Sequence, residues 1–229
     1  MTMASNDPFH TELFNLGPLP VNETVVTTWA VMACLLLISW LSTRRLKLQP
    51  GPWQVALEGV VGAIQDAIEA VLPDHALIVL PFVASLWIFA VFANLVGIIP
   101  GLHGPTADLS TTSALALLVF LSVHWYGIRI HGLKHYLRHY LEPNPILLPF
   151  HVVSEISRTI ALAVRLFGNI FSLEMAALLI LMVAGFLVPV PVLLLHIVEA
   201  LVQAYIFGML ALIYIAGGIQ SLEMKKKEG

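Results

Sequence analysis

Arg165 lies in the run Thr159-Ile-Ala-Leu-Ala-Val-Arg165-Leu-Phe-Gly-Asn169-Ile-Phe-Ser-Leu-Glu174, with long apolar stretches on both sides. A guanidinium keeps its proton at any useful pH. Placing one at membrane depth costs about 3 kcal/mol on insertion scales. On a helical wheel Arg158, Ala161, Arg165, Asn169, Ser172 and Ala176 form one narrow stripe at steps of three and four. The stripe is small and polar, and small residues let another helix approach closely in a bilayer. Arg165 is therefore expected to face a partner helix at short range and not lipid. Glu174 is nine residues on, about 180° round the helix, which makes a simple salt bridge with Arg165 an unfavoured geometry.

A second polar face lies further along, where His196, Glu199, Gln203 and Tyr214 share one side of a helix at steps of three, four and eleven. Asn94 is one more polar group inside an apolar stretch. Each has a structural reading. Asn94 and Gln203 alone serve as interhelical glue, His196 alone as a hydrogen-bonded structural histidine, and Arg165 as half of a buried pair with Glu199 or Glu174. Taken together, Arg, Glu, His, Glu and Gln in two adjacent helices point to a proton or ion path, because intramembrane ionisable groups mark such paths. His131, His135 and His139 are spaced by four and interleaved with Lys134 and Arg138. That row reads either as a transition-metal site or as a basic loop near anionic lipid or a partner. The neighbouring cations oppose the metal. No phosphate loop, nucleophile elbow or His-Glu-x-x-His motif is present.

These residues need elements that carry them through a bilayer. The chain of 229 residues is 59% hydrophobic and 11% charged, against about 25% charged in a soluble domain. Residues 1–20 hold no Lys or Arg and no apolar core, so no cleavable signal peptide is expected. The single cysteine, Cys34, excludes an internal disulfide framework.

The expected fold class is an all-α integral membrane protein with five transmembrane helices and one amphipathic surface helix. The layout is one membrane domain over 1–229: an outer N-terminus (1–22), spans at 24–41, 76–99, 110–128, 146–188 and 191–222, and a cytoplasmic tail (223–229). Asp108 or Ser110 is a candidate cap for the third span. Over 53–72 Gln54, Glu58, Gln65 and Glu69 share one face, while Leu57, Val60, Val61, Ile64, Ile68 and Val71 share the other. This amphipathic helix lies on the membrane surface or packs on a partner. As one helix the 146–188 stretch is about 60 Å long against a hydrocarbon core of about 30 Å, so it tilts steeply or breaks. Pro189-Val-Pro191 is read as the turn into the last, also long, segment. Arg44, Arg45 and Lys47, then Arg129, Lys134 and Arg138, then Lys225, Lys226 and Lys227 all fall on one side of five spans. The excess of basic residues places that side in the cytoplasm, with the N-terminus outside.

The run Arg165-Leu-Phe-Gly-Asn169 resembles the signature of subunit a of F-type ATP synthases. Asn94-Leu-Val-Gly97-Ile-Ile-Pro100, Pro105-Thr-Ala-Asp108-Leu-Ser-Thr-Thr112 and Gln203-Ala-Tyr-Ile-Phe207 are similar to further motifs of that family, in the family's order, over about residues 75–222. The resemblance implies a stator subunit of the membrane-embedded Fo motor in a bacterial inner membrane. Such a subunit is no enzyme by itself and has no nucleotide, cofactor, metal or nucleic acid of its own. Its implied partners are the ring of c subunits, subunit b of the peripheral stalk, the lipid bilayer and protons.

Under that resemblance Arg165 matches the arginine that meets each c-ring carboxylate in turn and blocks leakage between two half-channels. Asn94, Glu174 and His196 match positions lining the outer half-channel, and Gln203 matches a glutamine packed near the arginine. Asn169 and Ser172 continue the ring-facing surface, while Arg158 matches a basic position toward the cytoplasmic half-channel. The chain departs from common family residues at Thr159, Ala161 and His196, and Glu199 is an additional acid. The alternatives are a sodium-translocating version of the same subunit, a standalone ion-coupled transporter, and a membrane metalloprotein built on the histidine row.

Overall fold

A computed structural model describes residues 12–16, 19–44, 51–99, 104–133, 136, 148–184 and 189–228. The helices are α1 (Glu23–Thr43), α2 (Pro52–Val71), α3 (Ala76–Val96), α4 (Leu109–His131), α5 (Leu148–Ala184) and α6 (Pro189–Glu228). Short 3-10 turns at Pro73–His75 and Pro105–Ala107 lead into α3 and α4. Five helical stretches, in α1 and α3 to α6, are long and apolar enough to cross a membrane. The protein is thus an all-α membrane protein in its body, and its last two helices, of 37 and 40 residues, are the longest of those described. Each exceeds what about 30 Å of hydrocarbon needs, and α5 meets that excess without a break.

Local chemistry explains where several helices begin and end. Asp108 is the cap of α4: its Oδ1 accepts hydrogen bonds from the Ser110 backbone N–H and from Ser110 Oγ, both at 2.8 Å. These satisfy one of the donors that a helix start leaves unpaired. At its other end α4 stops at His131, where Gly132 takes φ +82, a left-handed conformation that favours glycine. The His131, His135, His139 row is therefore not one face of a continuous helix. His131 instead donates from Nε2 to the Ile219 carbonyl of α6 at 3.2 Å, while His135, His139, Lys134 and Arg138 lie outside the described residues. Pro189 and Pro191 correct another expectation, since they stand in the first turn of α6 and not in a turn before it. Proline is tolerated there because the first N–H groups of a helix have no intrahelical partner.

The N-terminal region contains a hairpin that the sequence reading did not assign. Glu12–Leu16 and Leu19–Asn22 pair as an antiparallel hairpin, with Phe14 opposite Val21 and Leu16 opposite Leu19. Gly17-Pro18 between them is a turn signal in the sequence. The hairpin runs directly into α1.

α3 and α6 form the axis of the packing. One core gathers Ile68 and Leu72 beneath α2 with Val79, Val83 and Trp87 of α3 and Leu212, Ile215 and Ile219 of α6. A second joins α3, α4, α5 and α6 through Leu86, Ala90, Ala116, Leu162, Ala163, Leu166, Ala204, Phe207 and Ala211. Alanines on all four helices permit the close approach on which helix association in lipid depends. α1 stands apart, contributing only Thr27 and Val31 as buried residues and leaving Trp29, Leu36, Leu37 and Trp40 outward.

α2 has the expected two faces. Gln54 donates to Glu58 and Gln65 to Glu69, each at 2.7 Å, along the polar side. Only the C-terminal end of the apolar side docks: Ile68 is fully buried, while Val60 is 51% exposed. Gln220 of α6 donates from Nε2 to the Val71 carbonyl at 3.0 Å, holding that end in place. Ile68→Ala is expected to destabilise the fold by about 2–5 kcal/mol, the usual range for a buried Ile→Ala cavity. Val60→Ala is expected to leave thermal unfolding in detergent almost unchanged, and the reverse ranking would contradict this packing.

Candidate ion path

α5 and α6 position the charged and polar groups, and two contacts fix how they lie. Asn169 Nδ2 donates to Gln203 Oε1 at 2.8 Å. Arg158 stacks its guanidinium over the Tyr214 ring, 5.0 Å from the centroid. Arg158 is eleven residues before Asn169 and Tyr214 eleven after Gln203, so the helices run antiparallel at one register between these contacts. By that register His196 stands level with about Ala176, on the Glu174 side of Arg165. Along α5, Glu174 lies about 14 Å beyond Arg165 and Arg158 about 10 Å before it, at 1.5 Å per residue. Glu174, His196 and Glu199 thus lie on one side of Arg165 along the helix pair, and the Arg158–Tyr214 contact lies on the other.

Arg165 is exposed on the outer face of the chain, together with Arg158, Ala161, Asn169 and Ser172 of its stripe. Among the described residues nothing engages Arg165 in a hydrogen bond or ion pair. The proposed pairings with Glu174 or Glu199 are therefore not made. Ser172 turns its hydroxyl back on its own helix, donating to the Gly168 carbonyl at 2.6 Å. Glu199 is half-buried on α6.

Behind this face the polar groups are buried and mostly tied across helices. Gln203 is 1% exposed and holds Asn169 from within the core. Asn94 of α3 is fully buried and donates from Nδ2 to the Ala200 carbonyl at 3.1 Å, so α3 and α6 are linked one turn from Gln203. Glu174 reaches the other way, accepting on Oε1 the backbone N–H of Gly104 at 3.0 Å. His196 is 1% exposed. Asn94 Oδ1, Thr106 Oγ1 and His196 Nε2 are buried without a hydrogen-bond partner among the described residues. An unpartnered buried polar group costs about 1–3 kcal/mol, and three of them fall on α3, the Pro105–Ala107 turn and α6. Thr106, Gly97 and Gly104 were passed over as functional candidates. Thr106 did sit inside a recognised motif, but nothing in its type distinguishes it until the fold buries it.

The structure thus brings together Asn169 with Gln203 and Arg158 with Tyr214, and it bonds Asn94 of α3 to Ala200 of α6 and Glu174 of α5 to Gly104. It makes no hydrogen bond or ion pair from Arg165, Ser172 or Glu199 to the other site residues among the described residues. A double-mutant cycle between Asn169→Ala and Gln203→Ala is expected to show a coupling energy of about 0.6 kcal/mol and at most about 1.7 kcal/mol, as interhelical hydrogen bonds in membranes do. Unfolding in bicelles measures it, and strict additivity would contradict the bond.

Comparison with known proteins places the whole helical body in one family. The family model described as ATP synthase A chain matches residues 25–216. ATP synthase subunit a 2 of Pelobacter propionicus is 67% identical over 214 residues, covering 93% of this chain and 94% of its own. ATP synthase subunit a 1 of Hahella chejuensis is 61% identical over 216 residues, covering 94% and 92%. ATP synthase subunit a of Legionella pneumophila (strain Corby) is 59% identical over 215 residues, covering 93% and 94%. A family match across most of its helices and relatives that align over more than nine-tenths of its length show that the chain belongs to the ATP synthase subunit a family.

Proposed function

We propose that this chain is the stator of the rotary Fo motor, passing protons to and from the carboxylates of a c-subunit ring through two half-channels that meet at Arg165. The observation that carries the reading is the state of Arg165 itself. It is a permanent cation on a small-residue face of a membrane-spanning helix, exposed, and without a counter-charge among the described residues. Such a charge at depth needs a partner. A second subunit whose carboxylate comes and goes supplies it intermittently, and the stripe from Ala161 to Ser172 leaves room for a helix to pass close by.

The chemistry follows from electrostatics. A cation beside a carboxylate favours its ionised form, so a protonated ring carboxylate releases its proton as it nears Arg165. A transmembrane potential supplies about 2.3 kcal/mol per charge per 100 mV. Because Arg165 repels a free proton on the direct route, that energy is released only through movement of the ring. On the outer side the path runs through Asn94, Glu174 and His196, with Glu199 as an additional acid. The three buried polar atoms without protein partners, Asn94 Oδ1, Thr106 Oγ1 and His196 Nε2, support a hydrated route there. On the cytoplasmic side Arg158 stands at the other half-channel, and Gln203 and Asn169 brace α5 against α6 beside Arg165.

The orientation in this proposal is N-terminus outside and C-terminus in the cytoplasm of a bacterial inner membrane; the basic residues that follow α1, at and beyond the end of α4 and in the last turns of α6 support it. The remaining partner is subunit b. The family match favours the stator over a standalone transporter, and of the histidine row only His131, the last residue of α4, lies among the described residues.

Arg165→Ala is expected to abolish ATP-driven proton pumping in inverted membrane vesicles while the complex still assembles. Quenching of a pH-sensitive dye measures the pumping and the amount of complex in the membrane measures assembly. Wild-type pumping by the assembled variant would overturn the proposal.

A further inference from the structure

We propose that Gly97 and Gly104 are positioning residues for Glu174, forming a notch that fixes which oxygen of its carboxylate carries the transported proton. The inference deepens the reading of the previous section and rests on Glu174 being part of the ion path. Gly97 follows the last turn of α3 and Gly104 opens the Pro105–Ala107 turn. Glu174 enters between them from α5, and its Oε1 accepts the Gly104 N–H at 3.0 Å.

Neither glycine is required by its backbone. Gly97 has φ −63 and ψ −10, and Gly104 has φ −63 and ψ 131. Both regions are open to any L-residue. Space is what the missing side chains provide. A Cβ on Gly97 would collide with Glu174 Oε1, and a Cβ on Gly104 would stand 2.8 Å from the same oxygen. The glycines also close on each other, since that second Cβ would be 3.2 Å from the Gly97 Cα. The carboxylate therefore occupies the volume that any other residue type would fill at either position.

This geometry assigns different work to the two oxygens. The Gly104 amide does not give up its hydrogen, so Oε1 is held as an acceptor in both protonation states. A protonated carboxyl carries a single O–H. A carbonyl oxygen accepts an amide N–H more strongly than a hydroxyl oxygen does, so the bond to Oε1 favours the proton on Oε2, and the notch keeps that atom in one place by holding its neighbour.

The test uses the whole complex in inverted vesicles, with ATP-driven proton pumping and its pH profile measured for Glu174→Gln, Glu174→Asp, Gly97→Ala and the double variant Gly97→Ala with Glu174→Asp. The collision at Gly97 is with the far end of a flexible side chain, so Gly97→Ala assembles and displaces the carboxylate. Misplacement of a reacting group by about 1 Å costs up to about a hundredfold in rate, and Gly97→Ala is expected to lose pumping by about tenfold or more, with a displaced pH profile. Aspartate is one methylene shorter and withdraws from the new methyl group, so the double variant is expected to pump faster than Gly97→Ala alone. Wild-type pumping and pH profile in Gly97→Ala, or no recovery in the double variant, would overturn the notch. Should Gly97→Ala fail to assemble, recovery of assembly by Glu174→Asp supports the proposal and its absence overturns it. Wild-type pumping by Glu174→Gln would remove Glu174 from the path and the notch with it. An impaired Glu174→Gln beside an unimpaired Gly97→Ala would remove the notch alone.

Discussion

A guanidinium that cannot be neutralised, held within an apolar helix, is the constraint from which the remaining arrangement follows. Removing such a group from water is tolerable only where fixed dipoles or a counter-charge replace the solvent. The chain gives Arg165 no carboxylate among the described residues. It gives instead a flank of small residues, a brace from Asn169 to the buried Gln203 one turn away, and acids set apart along α5 and α6. A permanent internal ion pair would have stabilised the subunit and ended its usefulness. In the proposed role the arginine stays available to a carboxylate that arrives from another chain.

The fold serves that availability. α3 and α6 form a rigid axis through two apolar cores, and α4 closes on α5 and α6 from behind. With the inner faces of α5 and α6 committed to alanine-rich packing, the Arg165 stripe is left outward. The same packing buries Asn94, Thr106, Gln203 and His196. Buried polarity next to exposed charge is a costly arrangement for a purely structural protein and a useful one for moving ions.

Much of this was legible in the sequence, for identifiable reasons. Apolar runs of span length mark the five spans, because hydrophobic thickness sets helix length. The Asp108 cap and the two faces of α2 follow from local chemistry, as does the separation of Glu174 from Arg165 by half a helical turn. The misreadings were also physical. Pro189 and Pro191 read as a turn, yet a helix start accommodates them. α4 ends at His131 before the left-handed Gly132, and His135 and His139 lie outside the described residues. The Asn169–Gln203 bond, the burial of Thr106 and the notch around Glu174 were out of reach, because each depends on which helices meet. Gly104 and Glu174 are separated by 70 positions in the chain, and no local pattern connects them.

The central claim is that the stripe carrying Arg165 faces a neighbouring subunit and not lipid. Disulfide trapping in native membranes tests it most directly. With Cys34 replaced by serine, a cysteine at Ala161 on the stripe and one at Ile160, about 100° away round α5 and off the stripe, are each paired with cysteines along the outer helix of the c subunit. The account predicts an oxidation-dependent adduct between the two subunits from position 161 and none from position 160. An adduct from Ile160 with none from Ala161, or labelling of a cysteine at Ala161 by a lipid-phase reagent with no adduct, would contradict it.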